Sequence, residues 1–498
     1  MRWFVCVAIA LAGTLVSERA LAQDDSALVS DVEAMRRAWN QPGIALAIVR
    51  GEEVSYAGGF GVRRLGRSPP VTADTVFALA SCSKSFAAAS VGRLVEQGRV
   101  SWDDPVQQHL ADFQLYDAWV SQQVTLRDLL SMRTGLRGAG IARLAASDRR
   151  DLVRRMRYLP PAAPFRSELI YTTDNYTAVG AVVSEVMQEP WERFADREFW
   201  RPIGMARTNA DHRQARAMAD AAHPHVRING QWRPTSWYYE DHIAVPAGGV
   251  NSSVRDVAAW LGALLNGGVW RGVRVLSQET IDEMFTPHTP DRGSQDSHIL
   301  TGPAGQGPDG VMFEAYAMGW MTHSYRGQRV VWHDGSIEGF RCVMSLLPDQ
   351  RAGFVLLFNA DQDYLPYALM QRVNDHLLEV TPRDWLKLYR DFELEEQSAP
   401  DATAEVEFEL GDAIVGRYAD NGLFGDAHIR ESRAGRLQLD LGNVVYDLTP
   451  AGATRLAATP RWRYQREPEF TLEFENAPPG VRPADFQLSL GSRFTRIP

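Results

Sequence analysis

TVFALASCSKSF, Thr75 to Phe86, is the stretch from which the fold and its chemistry follow. It sets Ser81 three positions before Lys84. It then runs into Ala87, Ala88, Ala89, Val91, Leu94 and Val95, an apolar series at helical spacing. A helical turn takes 3.6 residues, so positions i and i+3 share a face. A helix beginning at Ser81 therefore puts a hydroxyl and an amine side by side at its N-terminal end, among unpaired N–H groups and the positive pole of the dipole. The amine is unusual for this chain: of 52 basic residues, only Lys84 and Lys387 are lysines. Where charge alone is wanted, the chain uses arginine. Lysine differs because burial can pull it to its neutral form, in which it is a base. The pair points to chemistry rather than to a capped surface helix.

The 498 residues, 45% of them apolar, suffice for two or three domains with real cores. A formal charge of −10, with basic residues scattered rather than striped, argues against nucleic acid or an anionic membrane as the main partner. At the N-terminus, Arg2, the apolar run Trp3 to Val16 and Ala20-Leu21-Ala22 before Gln23 read as an export signal over residues 1–22. The run is shorter than the roughly 20 residues that span a bilayer, so removal is expected, with no stable membrane insertion afterwards. The mature protein is expected to be exported, periplasmic or secreted. Cys6 leaves with the signal. Cys82 and Cys342 are too few for a disulfide scaffold; two buried free thiols are expected, with a bond between them as the alternative.

Working outward, Ser26 to Trp39 predicts a short helix, Gly43 to Arg50 a buried strand and Val54 to Phe60 a second. Thr125 stands where an N-cap belongs, Ala244 to Leu265 reads as a Gly-turn and Ser N-cap feeding a helix, and Ser277 to Phe285 starts another; the stretch after Tyr171 predicts a helix with Val179, Val182, Val183 and Val186 inward. Beyond a polar loop at about 286–311, strands are predicted at Ala317–Ser324, Gln328–His333, Gly339–Leu347 and Gly353–Phe358, then helices at Leu365–Leu378 and Asp384–Gln397. Early and late strands around a helical middle imply an α+β domain, one antiparallel sheet flanked by helices, over 23–383. A helix and linker at 384–410 follow. Strict alternation in RLQLDL (436–441), FTLEFE (470–475) and FQLSL (486–490) predicts a small all-β barrel over 411–498.

A serine acting on a carbonyl needs a base, an oxyanion site and a proton carrier for the leaving group. No G-x-S-x-G elbow is present, so the base candidate is Lys84 and the carrier candidate Tyr171. In the run from Val331 to Phe340 (VWHDGSIEGF), Gly335 lets a substrate backbone lie against a strand edge. The N–H of Ser336 can then join that of Ser81 as an oxyanion donor.

Ser81-x-x-Lys84, Tyr171-x-Thr173 and His333-x-Gly335, in that order, resemble the serine β-lactamase and penicillin-binding-protein superfamily, and within it the class C β-lactamase-related serine hydrolases. LLSMRTGL (129–136), PAGGVNSSVRDVAAWL (246–261) and YAMGW (316–320) look familial too, so the likeness covers about 25 to 380. The tail resembles the lipocalin-like domain attached to some of these hydrolases. The resemblance implies Ser81 as the acylated nucleophile and Lys84 as its proton partner. It implies that Tyr171 serves acylation and deacylation, that His333 orients the site, and that Thr173, Gly335 and Ser336 meet the substrate; no cofactor is implied. Three departures stand out. Thr173 replaces an amide-bearing Asn, Met132 stands where relatives often have His, and His333 replaces the Lys that would hold a carboxylate, a role Arg341 takes over only if its side chain turns inwards.

The function implied is hydrolysis of an ester or amide: a peptide, a D-amino-acid amide or a small ester. The alternatives are a DD-carboxypeptidase or β-lactamase, and a binding module that kept the cleft without turnover. His223, His225 and His242 lack the spacing of a metal site. Trp237-Tyr238-Tyr239 either lines the cleft or packs a loop. Oligomeric state is left open.

Overall fold

The computed structural model describes residues 25–136, 146–228, 230–237, 243–292, 311–397, 408–420, 422–432, 435–441, 444–460, 470–474, 483–489 and 493–497. The expected export signal, most of the 286–311 loop, Tyr238, Tyr239, His242, the 398–407 linker and the turn at Pro478-Pro479-Gly480 lie outside these residues.

Helix α1 (Ser26–Ala38) buries Leu28, Val32 and Met35, the stripe of an amphipathic helix. Strand β1 (Gly43–Arg50) is buried almost throughout, and β2 (Glu53–Gly61) lies at the sheet edge. The helical layers include α2 (Lys84–Glu96), α3 (Thr173–Met187) and α4 (Val254–Leu265). The remaining strands are β3 (Thr289–Pro290), β4 (Val311–Tyr316), β5 (Met321–Tyr325), β6 (Gln328–Ile337), β7 (Phe340–Leu347) and β8 (Ala352–Phe358), followed by α5 (Leu365–Leu377) and α6 (Trp385–Gln397). The eight-stranded antiparallel sheet runs β2-β1-β8-β7-β6-β5-β4-β3. Ile44 to Arg50 pair with Phe358 to Ala352, so the first strand closes on the last, as the sequence predicts.

Helix α4 packs on β1, β2 and β8; α5 packs on β7 and β8 and carries α1 against it. Thr125 forms a capping box with Asp128, and Ser253 and Ser277 cap their helices at the N–H of Asp256 and Thr280. Helix α6 packs on the same core: Trp385 Nε1 donates to Asp375, Tyr389 is buried, and Trp39 Nε1 donates to Glu393.

Several predicted boundaries move: the strand expected at Gln328–His333 runs on to Ile337. Ser81 does not begin the α-helix but sits in a 3₁₀ turn, Ala80–Ser83, with α2 starting at Lys84. The strand predicted at Ala317–Ser324 is split: β4 ends at Tyr316, residues 317–320 turn with Gly319 at φ +75°, and β5 starts at Met321. Every residue from Ala317 to Met321 is buried, and in such a run the apolar pattern does not mark the turn.

The tail is a closed barrel of eight strands: β9 (Gly416–Ala419), β10 (Asp426–Glu431), β11 (Leu437–Leu441), β12 (Val444–Gly452), β13 (Arg455–Pro460), β14 (Phe470–Glu473), β15 (Asp485–Leu488) and β16 (Arg493–Ile497). Phe486 packs against Tyr418, Phe474 and Phe494 with ring centroids 4.9–5.5 Å apart, so side chains fill the interior. Arg155, at the end of the helix Arg149–Arg155, donates to the carbonyls of Gly422 and Leu423 and so seats a barrel loop on the first domain.

Candidate active site

The turn carrying Ser81 is held under tension. Ala80 has φ +46°, a left-handed conformation that costs a non-glycine residue about 1 kcal/mol or more. Hydrogen bonds from both sides fix it. Leu79 N–H donates to Val250 O, Ser83 Oγ donates to Ala80 O at 2.7 Å, and Val250 N–H donates back to Ser83 Oγ at 3.0 Å. The small residues at 87–90 let α2 sink into the core, buried on every side. Lys84 is fully buried, with Nζ 3.0 Å from Ser81 Oγ and 2.8 Å from Ala247 O. That carbonyl belongs to the short helix Val245–Gly248, which presses Pro246 against Gly180 of α3, where a Cβ would come within 2.2 Å of the proline ring.

Tyr171 stands just before α3, 38% exposed, with its ring centroid 4.9 Å from Lys84 Nζ; the buried Tyr176 ring lies 5.7 Å from the same atom. Thr172 caps α3, and its own N–H reaches the Met132 sulfur at 3.4 Å. Met132 thus carries a structural contact at the position where the resemblance leads one to expect His. Thr173 is the first residue of the helix, half-buried. Asn175 does not restore the missing amide, since its side chain is bonded to Thr134.

The third element is a strand edge. β6 pairs with β5 as far as Trp332; from His333 to Ile337 its partner among the described residues is β7 alone. The two-residue loop Glu338-Gly339 makes Ile337 and Phe340 a hydrogen-bonded pair, and alternation along an antiparallel ladder then turns the N–H and C=O of Asp334 and Ser336 to the open side. Gly335 packs face-on against the Ser81 turn: a Cβ there would lie 2.2 Å from Leu79 O and 3.2 Å from the Ala80 methyl. This contact sets the strand carrying Ser336 beside the Ser81 turn, the juxtaposition that two donors to one oxyanion would require. Gly335→Ala is expected to push strand and turn apart and lower kcat/KM about 100-fold, a loss read from steady-state rates beside an unchanged circular dichroism spectrum.

His333 lies beside these groups, buried, its ring centroid 6.2 Å from that of Tyr171. Nδ1 is 2.5 Å from the backbone carbonyl of Asp334 and Nε2 is 3.2 Å from the Tyr316 hydroxyl. Burial holds its pKa down at about 3. Arg341 pairs with Ser336, on the face opposite His333 and Gly335, and donates to Asp363. It does not reach the site. Cys82 and Cys342 are free buried thiols, the former donating to His333 O. Trp237 packs against Phe340 and donates to Ala222 O. His225 bonds Leu65 N–H and Asn359 O, so both its nitrogens serve the fold.

His225 and His323 share the neutrality of His333: burial lowers them to about 4 and about 3. A buried neutral histidine takes up its proton only on unfolding, so stability is complete above pH 6.5 and is lost as pH falls through the window from 6.5 towards 3–4. By pH 5 each contributes a loss of about 2 kcal/mol. The urea midpoint is expected to drop between pH 7 and pH 5, and His323→Leu to flatten that slope.

The Tyr316 hydroxyl, the Ala247 carbonyl and the Ser83 hydroxyl have no role in the expectations from sequence. Tyr316 and Ala247 fall within stretches quoted there as familial, YAMGW and PAGGVNSS, but no spacing signalled what they touch.

Residues 31–376 match the Beta-lactamase family. An unguisins hydrolase of Aspergillus campestris is 30% identical over 382 residues, covering 72% of this chain and 67% of that protein. Its counterpart in Aspergillus violaceofuscus is 28% identical, covering 71% and 65%. The chain thus spans about two thirds of the length of these relatives. Among solved structures, the octameric penicillin-binding protein homologue from Pyrococcus abyssi superposes with a TM-score of 0.64 at 20% identity, over 95% of this chain and 100% of that one. A D-amino acid amidase from Ochrobactrum anthropi gives 0.56 at 20% identity, over 73% and 100%. At these identities the two structures speak for the fold.

Proposed function

Because the chain belongs to the beta-lactamase family, we propose that it is a serine hydrolase that cleaves an ester or amide through an acyl-enzyme on Ser81. The observation that carries this is the 3.0 Å contact between Ser81 Oγ and the amine of a fully buried lysine, facing an open strand edge. As a neutral amine, Lys84 donates to Ala247 O and takes the Ser81 proton as Oγ attacks the carbonyl carbon. Burial of an ammonium costs several kcal/mol, more than the roughly 1–2 kcal/mol that nearby ring faces return. The tetrahedral oxyanion is received by the N–H groups of Ser81 and Ser336. Tyr171 hands a proton to the leaving group, and water attacking the ester along the reverse route restores the hydroxyl and releases the acid.

The preferred substrate lacks a carboxylate beside the scissile bond. His333 is neutral and Arg341 lies behind the sheet, so neither supplies the cation that would hold such a group. The relatives named for unguisins and for D-amino acid amides support an amide or peptide substrate. The test compares kcat/KM for N-acetylated, uncharged D-amino-acid anilides and nitrophenyl esters with that for nitrocefin. The neutral substrates are expected to exceed the carboxylate-bearing one by about 10- to 100-fold, the worth of one charge-assisted hydrogen bond. A preference for nitrocefin overturns the assignment and favours a β-lactamase.

A further inference from the structure

Two contacts of the His333 ring decide more than its place. A backbone carbonyl only accepts, so the nitrogen 2.5 Å from Asp334 O must carry the proton, and this is Nδ1. In the neutral ring Nε2 is then an acceptor, and the hydroxyl 3.2 Å away, that of Tyr316, is its donor. Burial, then the neighbouring Tyr176 and Tyr171, keep the Tyr316 hydroxyl protonated far above neutral pH. Tyr176 sends its own proton to Leu130 O at 2.7 Å. The Tyr316 ring also meets Tyr171 edge-on, centroids 5.9 Å apart, and Tyr171 lies against His333 as well, so the three rings form a triangle.

We propose that Tyr316 is a positioning residue: its hydroxyl locks His333 in the Nδ1–H tautomer, and the two rings together seat Tyr171. The inference rests on the acyl-enzyme described above but concerns a residue outside it. Tyr316 touches neither Ser81 nor the strand edge; it acts through His333. With the hydroxyl removed, Nε2 is left buried without its donor and the ring is free to turn, so the seat of Tyr171 loosens. Substrate binding along the strand edge is untouched. The cost therefore falls on kcat and leaves KM alone.

The test is a double-mutant cycle with a spectroscopic control. Tyr316→Phe keeps the ring and loses the hydroxyl; it is expected to lower kcat about 10- to 100-fold with KM within about threefold. Added to His333→Ala, it is expected to cost almost nothing more, because both changes remove one coupling. In the unsubstituted protein, ¹⁵N shifts of the His333 ring are expected to show a protonated Nδ1 and an acceptor Nε2 from pH 5 to pH 8, a readout independent of turnover. A protonated Nε2, a Tyr316→Phe variant within twofold of the parent, or additive losses in the cycle would each overturn the proposal. Labelling of Ser81 by a fluorophosphonate in the same samples separates the two claims: label with no Tyr316 effect sinks the positioning role alone, and absence of label sinks the acyl-enzyme.

Discussion

Ser81→Ala is expected to lower ester and amide turnover by at least about 10³-fold while the protein keeps its fold. The neighbouring amine is placed to unload Oγ. Lys84 Nζ lies 3.0 Å from it, on the strained turn that Leu79, Ser83 and Val250 hold in place. Ser81 itself is only half-buried and caps nothing, and the buried Lys84 amine, which loses one partner, keeps its bond to Ala247 O. The thermal midpoint is therefore expected to stay within about 2 °C of the parent. Residual hydrolysis comes from substrate binding and the two backbone donors, as when a nucleophile is removed from a preformed oxyanion site.

The second large effect is expected from Lys84→Arg, again about 10³-fold or more in kcat. The substitution separates charge from basicity. Arginine keeps a cation near the Tyr171 and Tyr176 rings, but a guanidinium does not give up its proton and cannot receive one from Ser81. If Lys84 served only as a positive charge, much of the rate would survive. Since Ser81 and Lys84 work as one unit, the double variant is expected to be no slower than either single one. Because the position is fully buried, the larger head must be shown to fit, and an unchanged near-ultraviolet circular dichroism spectrum is the control.

Much of this arrangement was legible in the sequence, and the limits have physical reasons. Ser81 and Lys84 share a side of the chain whether the turn is α or 3₁₀, so the pairing did not depend on where the helix begins. Strong apolar runs and helix caps placed β1, β7 and β8 and announced a sheet built from both ends of the domain. The face of Arg341 could not be read, because a strand alternates in and out and its register is fixed only by pairing with Ser336. The turn at 317–320 was hidden because its neighbours are apolar on both sides of the sheet. The engagement of both His333 nitrogens depends on Tyr316, 17 residues earlier and two strands away in the sheet, a contact that no local spacing encodes.

The central claim is that the buried amine of Lys84 frees the Ser81 oxygen to be acylated. Treatment with a fluorophosphonate, followed by proteolysis and mass spectrometry of the adduct, tests it most directly. One phosphonyl group per chain, on Ser81, absent in Ser81→Ala and nearly absent in Lys84→Arg, is the predicted result. An adduct on any other residue, or equal labelling of Lys84→Arg and the parent, would contradict the account.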